Sequence, residues 1–204
     1  MLAHSFVKNR STQVLLRKLI LRIIGGARRG KRLYSPRNLS IRPTGDRVRE
    51  SIFNILAGRI VDSRVLDLFA GTGAMGLEAL SRGAKHAVFI DNHPAALVLI
   101  NKNIKVCGWT DRTEIIRWDP TRNLNCIEYP NELYSLVFID PPYRLEMVPA
   151  ILRHLDRSNA LTSKTLVTVE HTSTEILDDK ISAFVLEDRR SYGKTLVSFF
   201  RYMV

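Results

Sequence analysis

Cysteine is nearly absent: the 204 residues hold two, Cys107 and Cys126. Their positions match no metal-ligand spacing and no disulfide framework, so both read as reduced structural thiols of a cytoplasmic protein. No apolar run approaches the roughly 20 residues that cross a bilayer, and no membrane partner is expected. Acid is scarce at one end of the chain. Residues 1–50 carry 13 of the 31 Lys and Arg but only two of the 20 acids, Asp46 and Glu50. Residues 51–204 carry 18 charges of each sign, so the whole net charge of +11 belongs to the first quarter. A basic segment on a neutral body points to a polyanionic partner, most simply nucleic acid. The bland alternative is a solvated tail or a targeting segment.

What remains is ordinary for a globular chain: 45% hydrophobic and 25% charged residues, with a length that fits one domain and a small appendage. Residues 1–20 read as a basic extension. They lack the apolar core and cleavage site of a secretory signal, and organellar targeting is the alternative to a cytoplasmic bacterial location. Residues 21–43 read as a basic β-hairpin element, Leu21-Arg22-Ile23-Ile24 turning through Gly25-Gly26 to Leu33-Tyr34. Arg28, Arg29, Lys31 and Arg32 give it a cationic patch. Residues 44–204 read as the main domain. Thr44 or Asp46 caps a helix whose apolar face is Val48, Ile52, Phe53, Ile55 and Leu56. Arg42 precedes that helix. Arg47 and Arg49 sit in its first turn, where cations oppose the helix dipole and invite an anion. Glu50 offers them a structural partner instead.

Strand and helix patterns then alternate. Strands are expected at 64–69, 87–91, 113–117, 134–140, 165–171, 183–189 and 195–202, and helices at 74–82, 93–106, 145–155 and 174–179. The fold class is α/β: an open, mostly parallel seven-stranded sheet with one antiparallel strand from a closing hairpin at Ser191-Tyr192-Gly193-Lys194. Ligands of such sheets lie at the carboxyl ends of the strands.

The centre of that end is Asp67-Leu68-Phe69-Ala70-Gly71-Thr72-Gly73-Ala74-Met75-Gly76. Gly71 and Gly73 permit a sharp turn against a ligand, and Gly76 lets the next helix pack closely. An acid four residues before Gly71 would repel a pyrophosphate. It suits S-adenosylmethionine, which has no phosphate and carries an ammonium and a sulfonium. Asp91, with Asn92 beside it, lies 20 residues past Gly71, where an acid can accept from two ribose hydroxyls. Asp119 is placed to accept from an adenine amino group beside Trp118; its alternative is a helix N-cap before Pro120. The cofactor contacts are therefore assigned to Asp67, Phe69, Ala70, Gly71, Thr72, Gly73, Asp91, Asn92, Asp119 and Asp140, with no metal.

Asp140-Pro141-Pro142-Tyr143 follows the fourth strand. A base amino group is a poor nucleophile because its lone pair is delocalised. The Asp140 carboxylate and the Pro141 carbonyl can accept its two protons and draw the nitrogen towards tetrahedral geometry. The prolines hold these acceptors in place, and Tyr143 can stack on an extruded base. Asp140, Pro141 and Tyr143 are thus the catalytic candidates. Arg28, Arg29, Lys31, Arg32, Arg42, Arg47 and Tyr143 are the candidates for contacting nucleic acid. No Pro-Cys occurs, so transfer to an amino group is favoured over transfer to a pyrimidine carbon.

With these motifs the chain resembles the RsmD family of bacterial methyltransferases. The resemblance runs from Leu21 to the C-terminus. It rests on Arg22-Ile23-Ile24-Gly25-Gly26 with Arg29-Gly30, on Arg42-Pro43-Thr44 with Asp46-Arg47-Val48-Arg49-Glu50 and Phe53-Asn54, on the glycine turn with Gly76-Leu77-Glu78-Ala79, and on Asp140-Pro141-Pro142-Tyr143. It implies a Rossmann-like class I fold, S-adenosylmethionine as donor, and N2 of a guanine in 16S rRNA, position 966, as target. Small-subunit rRNA or an assembling 30S subunit would be the partner of a monomeric enzyme. Two departures stand out: residues 1–20 precede the usual family start, and Tyr143 stands where Phe is common. An adenine-N6 or other amino-methyltransferase acting on DNA or protein is the alternative enzyme. A non-catalytic assembly factor is the alternative of another class.

Overall fold

The computed structural model describes residues 21–36, 45–128, 131–142 and 147–203. The extension 1–20, Thr44, Arg42 and Tyr143 lie outside the described residues. Among the described residues one eight-stranded sheet forms the body. Its strands are β1 (Arg64–Leu68), β2 (His86–Asp91), β3 (Thr113–Arg117), β4 (Tyr134–Ile139), β5 (Leu161–Thr172), β6 (Lys180–Ile181), β7 (Phe184–Tyr192) and β8 (Thr195–Tyr202). The order is β3-β2-β1-β4-β5-β8-β7-β6. Strands β3, β2, β1, β4 and β5 are parallel, and β8 runs against both β5 and β7. The expected seven strands are all present. The eighth, β6, adds two residues antiparallel to β7 at the edge.

Alternation along the strands sorts the core into two layers. Val65, Phe89, Leu136, Phe138 and Phe199 face one way. There they meet the apolar stripes of α1 (Asp46–Ile55), α2 (Ala74–Ser81) and α3 (Pro94–Cys107), which include Phe53, Leu77 and Ile104. Leu66, Leu68, Val88, Val137 and Ile139 face the other way, against Val148, Ile151, Leu152 and Leu155 of α4 (Met147–Arg157). Burial on both faces explains why these strands read as continuous apolar runs rather than alternating ones.

The basic element forms less ladder than a hairpin would. Arg22 and Arg32 make one antiparallel bridge around a 3-10 turn at Gly26–Arg28. Ile23 N–H donates to the Lys31 carbonyl at 2.9 Å and Leu33 N–H to the Leu21 carbonyl at 2.9 Å. Leu21, Ile23 and Leu33 join the core on the α1–α3 side. Asp46 is not the cap of α1. Gly45 occupies that position, and Asp46 is the first helical residue, paired with Arg22 at 3.2 Å and Arg49 at 3.1 Å.

The helix expected at 174–179 does not form; a turn and loop take its place. Side chains claim the carbonyls that a helix would need. His171 Nδ1 lies 3.2 Å from the Glu175 carbonyl, and Arg189 Nη2 donates to the Leu177 carbonyl at 2.9 Å. Local competition of this kind decides short helices, which cannot nucleate alone.

Close packing of α2 depends on Gly76. A Cβ there would lie 2.4 Å from Cε1 and 2.8 Å from Cζ of the buried Phe89 ring. Gly76→Ala is therefore expected to cost about 1–3 kcal/mol in a denaturant melt. A melt identical to wild type would show that α2 does not rest on β2 this closely.

Candidate active site

Going from β1 to β2 the chain moves one way across the sheet, and it returns past β1 to lay down β4. The gap between the carboxyl ends of β1 and β4 is thus the topological switch point, where open α/β sheets hold ligands. The turn leaving β1 occupies it. Phe69, Gly71 and Gly73 have φ of 59°, 56° and 75°, in the left-handed region. For Phe69, a bulky L residue, that conformation is strained. A Cβ on Gly71 would meet only the Phe69 carbonyl at 3.8 Å, so the space over the turn is open.

Two buried carboxylates hold this turn. Gly76 N–H donates to Asp67 Oδ2 at 2.9 Å, and Gly71 N–H donates to Asp91 Oδ2 at 2.9 Å. His93 N–H donates to the second Asp91 oxygen at 2.8 Å, which also starts α3. Burial pushes the Asp67 carboxyl up to about 8; the Gly76 N–H opposes this, and the Asp91 charge adds to it. Asp140 lies just past β4, and its surface still meets solvent. Atoms crowded round its carboxyl strip part of its hydration and raise it well above the usual carboxylate range. Glu170 and Asp67 push it further by like charge. Water at the open side damps that shift. Strand register agrees with the electrostatics: Asp67 pairs with Phe138, two residues before Asp140, and Ile139 pairs with Val169, the residue before Glu170. Pro141 is buried beside Asp140.

At the ends of β2 and β3 a groove of about 610 Å³ is lined by Asn92, His93, Arg117, Trp118, Asp119 and Arg122 among others. Asp119 is not a helix cap. Its Oδ1 accepts from Thr121 N–H at 3.0 Å and from the Thr121 hydroxyl at 2.6 Å, closing a turn. The Thr121 hydroxyl, above all, holds the Asp119 carboxyl below its ordinary value; Arg122 and Asn92 assist. Trp118 donates its indole N–H to the Asn123 carbonyl at 3.0 Å, and its ring packs on the α4-side core. The structure therefore brings Asp67, Phe69, Ala70, Gly71, Thr72, Gly73, Asp91, Asn92, Asp119, Asp140 and Pro141 to one end of the sheet.

The cationic candidates gather elsewhere. Arg28, Arg29, Lys31 and Arg32 are exposed on the 21–34 segment, and Arg47 is exposed on α1. Arg28 is partly spoken for, since its Nε donates to the Cys107 carbonyl at the end of α3, 3.1 Å away. Arg49 is buried; its guanidinium holds the Arg22 carbonyl at 2.6 Å, which removes it from the contact surface. Cys107 is a buried free thiol, pushed up by burial against the opposing charges of Lys31 and Arg28.

Sequence reasoning missed two residues that join the segment to the turn. Glu78 has no solvent exposure and accepts from Ile24 N–H at 2.7 Å, Gly25 N–H at 2.8 Å and Arg82 Nε at 2.7 Å. Asn103, equally buried, accepts from Tyr34 N–H at 2.6 Å. Its Nδ2 donates to the Tyr34 carbonyl at 3.0 Å and to the Thr72 carbonyl of the glycine turn at 2.8 Å. The available signal was polarity in the wrong place: Glu78 interrupts an apolar helix, and Asn103 lies on the stripe of Ile100, Ile104 and Cys107.

A family model described as Conserved hypothetical protein 95 matches residues 21–201. The chain belongs to this family. Ribosomal RNA small subunit methyltransferase D of Escherichia coli strain K12 is 38% identical over 150 residues, 74% of each chain. The candidate rRNA methyltransferase YlbH of Bacillus subtilis is 33% identical over 181 residues, 89% of this chain and 98% of that one. The solved structure of the candidate methyltransferase YhhF of Escherichia coli superimposes with a TM-score of 0.79 at 32% identity, covering 89% of this chain and 97% of its own. This member of the Conserved hypothetical protein 95 family has the Rossmann-like methyltransferase fold and is a methyltransferase.

The elevated Asp67 carboxyl sets a test of the site. Native Asp67 keeps its proton up to about 8, whereas the unfolded chain releases it near about 3.9. Between those values the native state binds more protons, so this group's contribution to stability is full below the lower value and gone above the upper one. Asp67→Asn keeps an acceptor for Gly76 N–H and should flatten that decline in denaturant melts from pH 4 to 8.5. A wild-type-to-variant difference that does not change with pH would mean that Asp67 is ionised in the native protein.

Proposed function

We propose that the protein transfers a methyl group from S-adenosylmethionine to N2 of a guanine in small-subunit ribosomal RNA, position 966 of 16S rRNA. The observation that carries this reading is the pair of carboxylates, Asp67 and Asp140, close enough across the switch point to repel each other beside an open glycine turn. The relatives named as ribosomal RNA small subunit methyltransferases supply the RNA class.

The residues present fit the cofactor. The open face of Gly71, the acid Asp91 at the end of β2, and the groove of Asn92, Trp118 and Asp119 suit an adenosine. Asp67 suits the ammonium and sulfonium, whereas a diphosphate would find two buried acids. When bound, S-adenosylmethionine would supply an electrophilic methyl whose bond to the sulfonium breaks during transfer, sulfur keeping the electron pair.

The chain's own residues do the rest. Asp140 Oδ and the Pro141 carbonyl accept the two protons of the guanine amino group, which localises the nitrogen lone pair and aims it between Asp140 and Asp67. As the nitrogen spends that pair on its new bond to carbon, an N–H bond weakens and its proton passes to Asp140. A carboxyl raised by crowding, Glu170 and Asp67 is a better acceptor near neutral pH than an ordinary aspartate. Burial pushes the Asp67 carboxyl up to about 8, so its ionised share grows through neutral pH and cofactor affinity should rise with pH towards about 8. Tyr143, and the cations Arg29, Lys31, Arg32, Arg42 and Arg47, serve the RNA.

Incubation of small subunits, and separately of their naked RNA, with enzyme and labelled donor should yield labelled 2-methylguanosine on nucleoside mass spectrometry. Label in N6-methyladenosine, or none in RNA, would reject the reading. Asp140→Ala should lower kcat by at least about a hundredfold with S-adenosylhomocysteine affinity near wild type. Near-normal turnover would remove Asp140 from the mechanism.

A further inference from the structure

The proposed contacts to RNA are all cations except Tyr143, and cations alone read phosphate without holding a base. An aromatic ring that stands in the basic segment adds what they lack. Tyr34 is 55% exposed, although it follows the buried Leu33. It lines a groove of about 320 Å³ together with Lys31, Arg32, Leu33 and, from α3, Val106. Two cations, an open aromatic face and an aliphatic floor make up the wall, and no acid is among these residues. That is the chemistry of a single-stranded nucleic-acid subsite, in which a base stacks on the ring while cations track the backbone.

Rigid anchoring distinguishes Tyr34 from a stray surface tyrosine. Both backbone polar groups of Tyr34 are held by the side chain of Asn103, at 2.6 and 3.0 Å, and Asn103 has no solvent exposure. The same Nδ2 grips the Thr72 carbonyl at 2.8 Å. One buried amide thus ties the ring's backbone to the turn assigned to the cofactor. A base held on Tyr34 would sit at a fixed distance from the reacting centre, which is what orientation of a flexible substrate requires.

Resting on the function proposed above, we infer that Tyr34 is a stacking platform for one unpaired base of the RNA, with Lys31 and Arg32 on the flanking phosphates and Asn103 as the residue that positions it. Duplex RNA, whose bases are already stacked, gains nothing from the ring. An acidic peptide would use the cations and ignore it.

Fluorescence anisotropy with a short labelled oligoadenylate tests this. Stacking is worth roughly a 5- to 150-fold change in affinity per base, so Tyr34→Ala should weaken oligoadenylate binding within that range, and Tyr34→Phe should restore it. The salt dependence of binding should keep its slope in Tyr34→Ala, because no phosphate contact is lost, and should flatten in the Lys31→Gln, Arg32→Gln double variant. Duplex RNA of the same length should bind wild type and Tyr34→Ala alike. Unchanged oligoadenylate affinity in Tyr34→Ala would overturn the inference. So would equal losses on duplex RNA, or competition by oligoglutamate as strong as that by unlabelled oligoadenylate. Titration of S-adenosylhomocysteine into the same samples separates the two readings. A wild-type protein that ignores it while showing Tyr34-dependent binding refutes the proposed S-adenosylmethionine site and upholds the platform.

Discussion

The glycine turn after β1 is held open by hydrogen bonds from its own backbone to two buried carboxylates, and the rest of the site is arranged around that fact. Gly71 gives its N–H to Asp91, and Gly76 gives its N–H to Asp67. Left-handed backbone at Phe69, Gly71 and Gly73 would otherwise have other conformations within reach. With these acceptors in place the chain leaves β1, rises clear of the sheet and enters α2 with its open side towards the switch point. Preorganisation of this kind matters because groups that are already positioned need not be reordered during reaction.

Charge is divided between two regions with different tasks. The sheet end concentrates acids; burial above all, with like charge from neighbouring carboxylates added to it, makes Asp67 and Asp140 reluctant to ionise. On the function proposed above, a cationic ligand would relieve that strain, and an amine that must shed a proton would exploit it. The basic segment concentrates the opposite charge on the neighbouring surface, where the exposed Arg29, Lys31 and Arg32 meet water. Glu78 and Asn103 bridge the two regions through backbone groups rather than ion pairs with the surface cations. The cations thereby stay free for a polyanion while the segment that bears them is fixed.

Much of this was legible in the chain itself. Strands β1, β2 and β4 were readable because they are buried and largely apolar along their length, and the spacing of Asp67, Asp91 and Asp140 named acids that lie at one end of the sheet. The failures share a cause. Residues 174–179 were read as a helix, yet His171 at the end of β5 and Arg189 on β7 meet the carbonyls a helix would use. Asp46 looked like a cap and instead pairs with Arg22 and Arg49. Arg49 looked available to an anion and is buried on the Arg22 carbonyl. Each outcome includes a partner far along the chain, Arg189 in the first case and Arg22 in the other two, which local sequence does not reveal.

The sequence by itself determined the order of the main strands and helices, the glycine turn after β1, and the methyltransferase class. These depend on local spacing, on periodicity and on the conformational freedom of glycine, all of which are written in consecutive residues. Tertiary structure decided which polar groups are available and which are consumed in holding the fold. It turned Glu78 and Asn103 into internal anchors, left Tyr34 facing water, and set Asp140 against Glu170 and Asp67. Hydrogen bonding and desolvation act through space at a few ångströms, so residues 69 positions apart along the chain, as Tyr34 and Asn103 are, settle each other's roles.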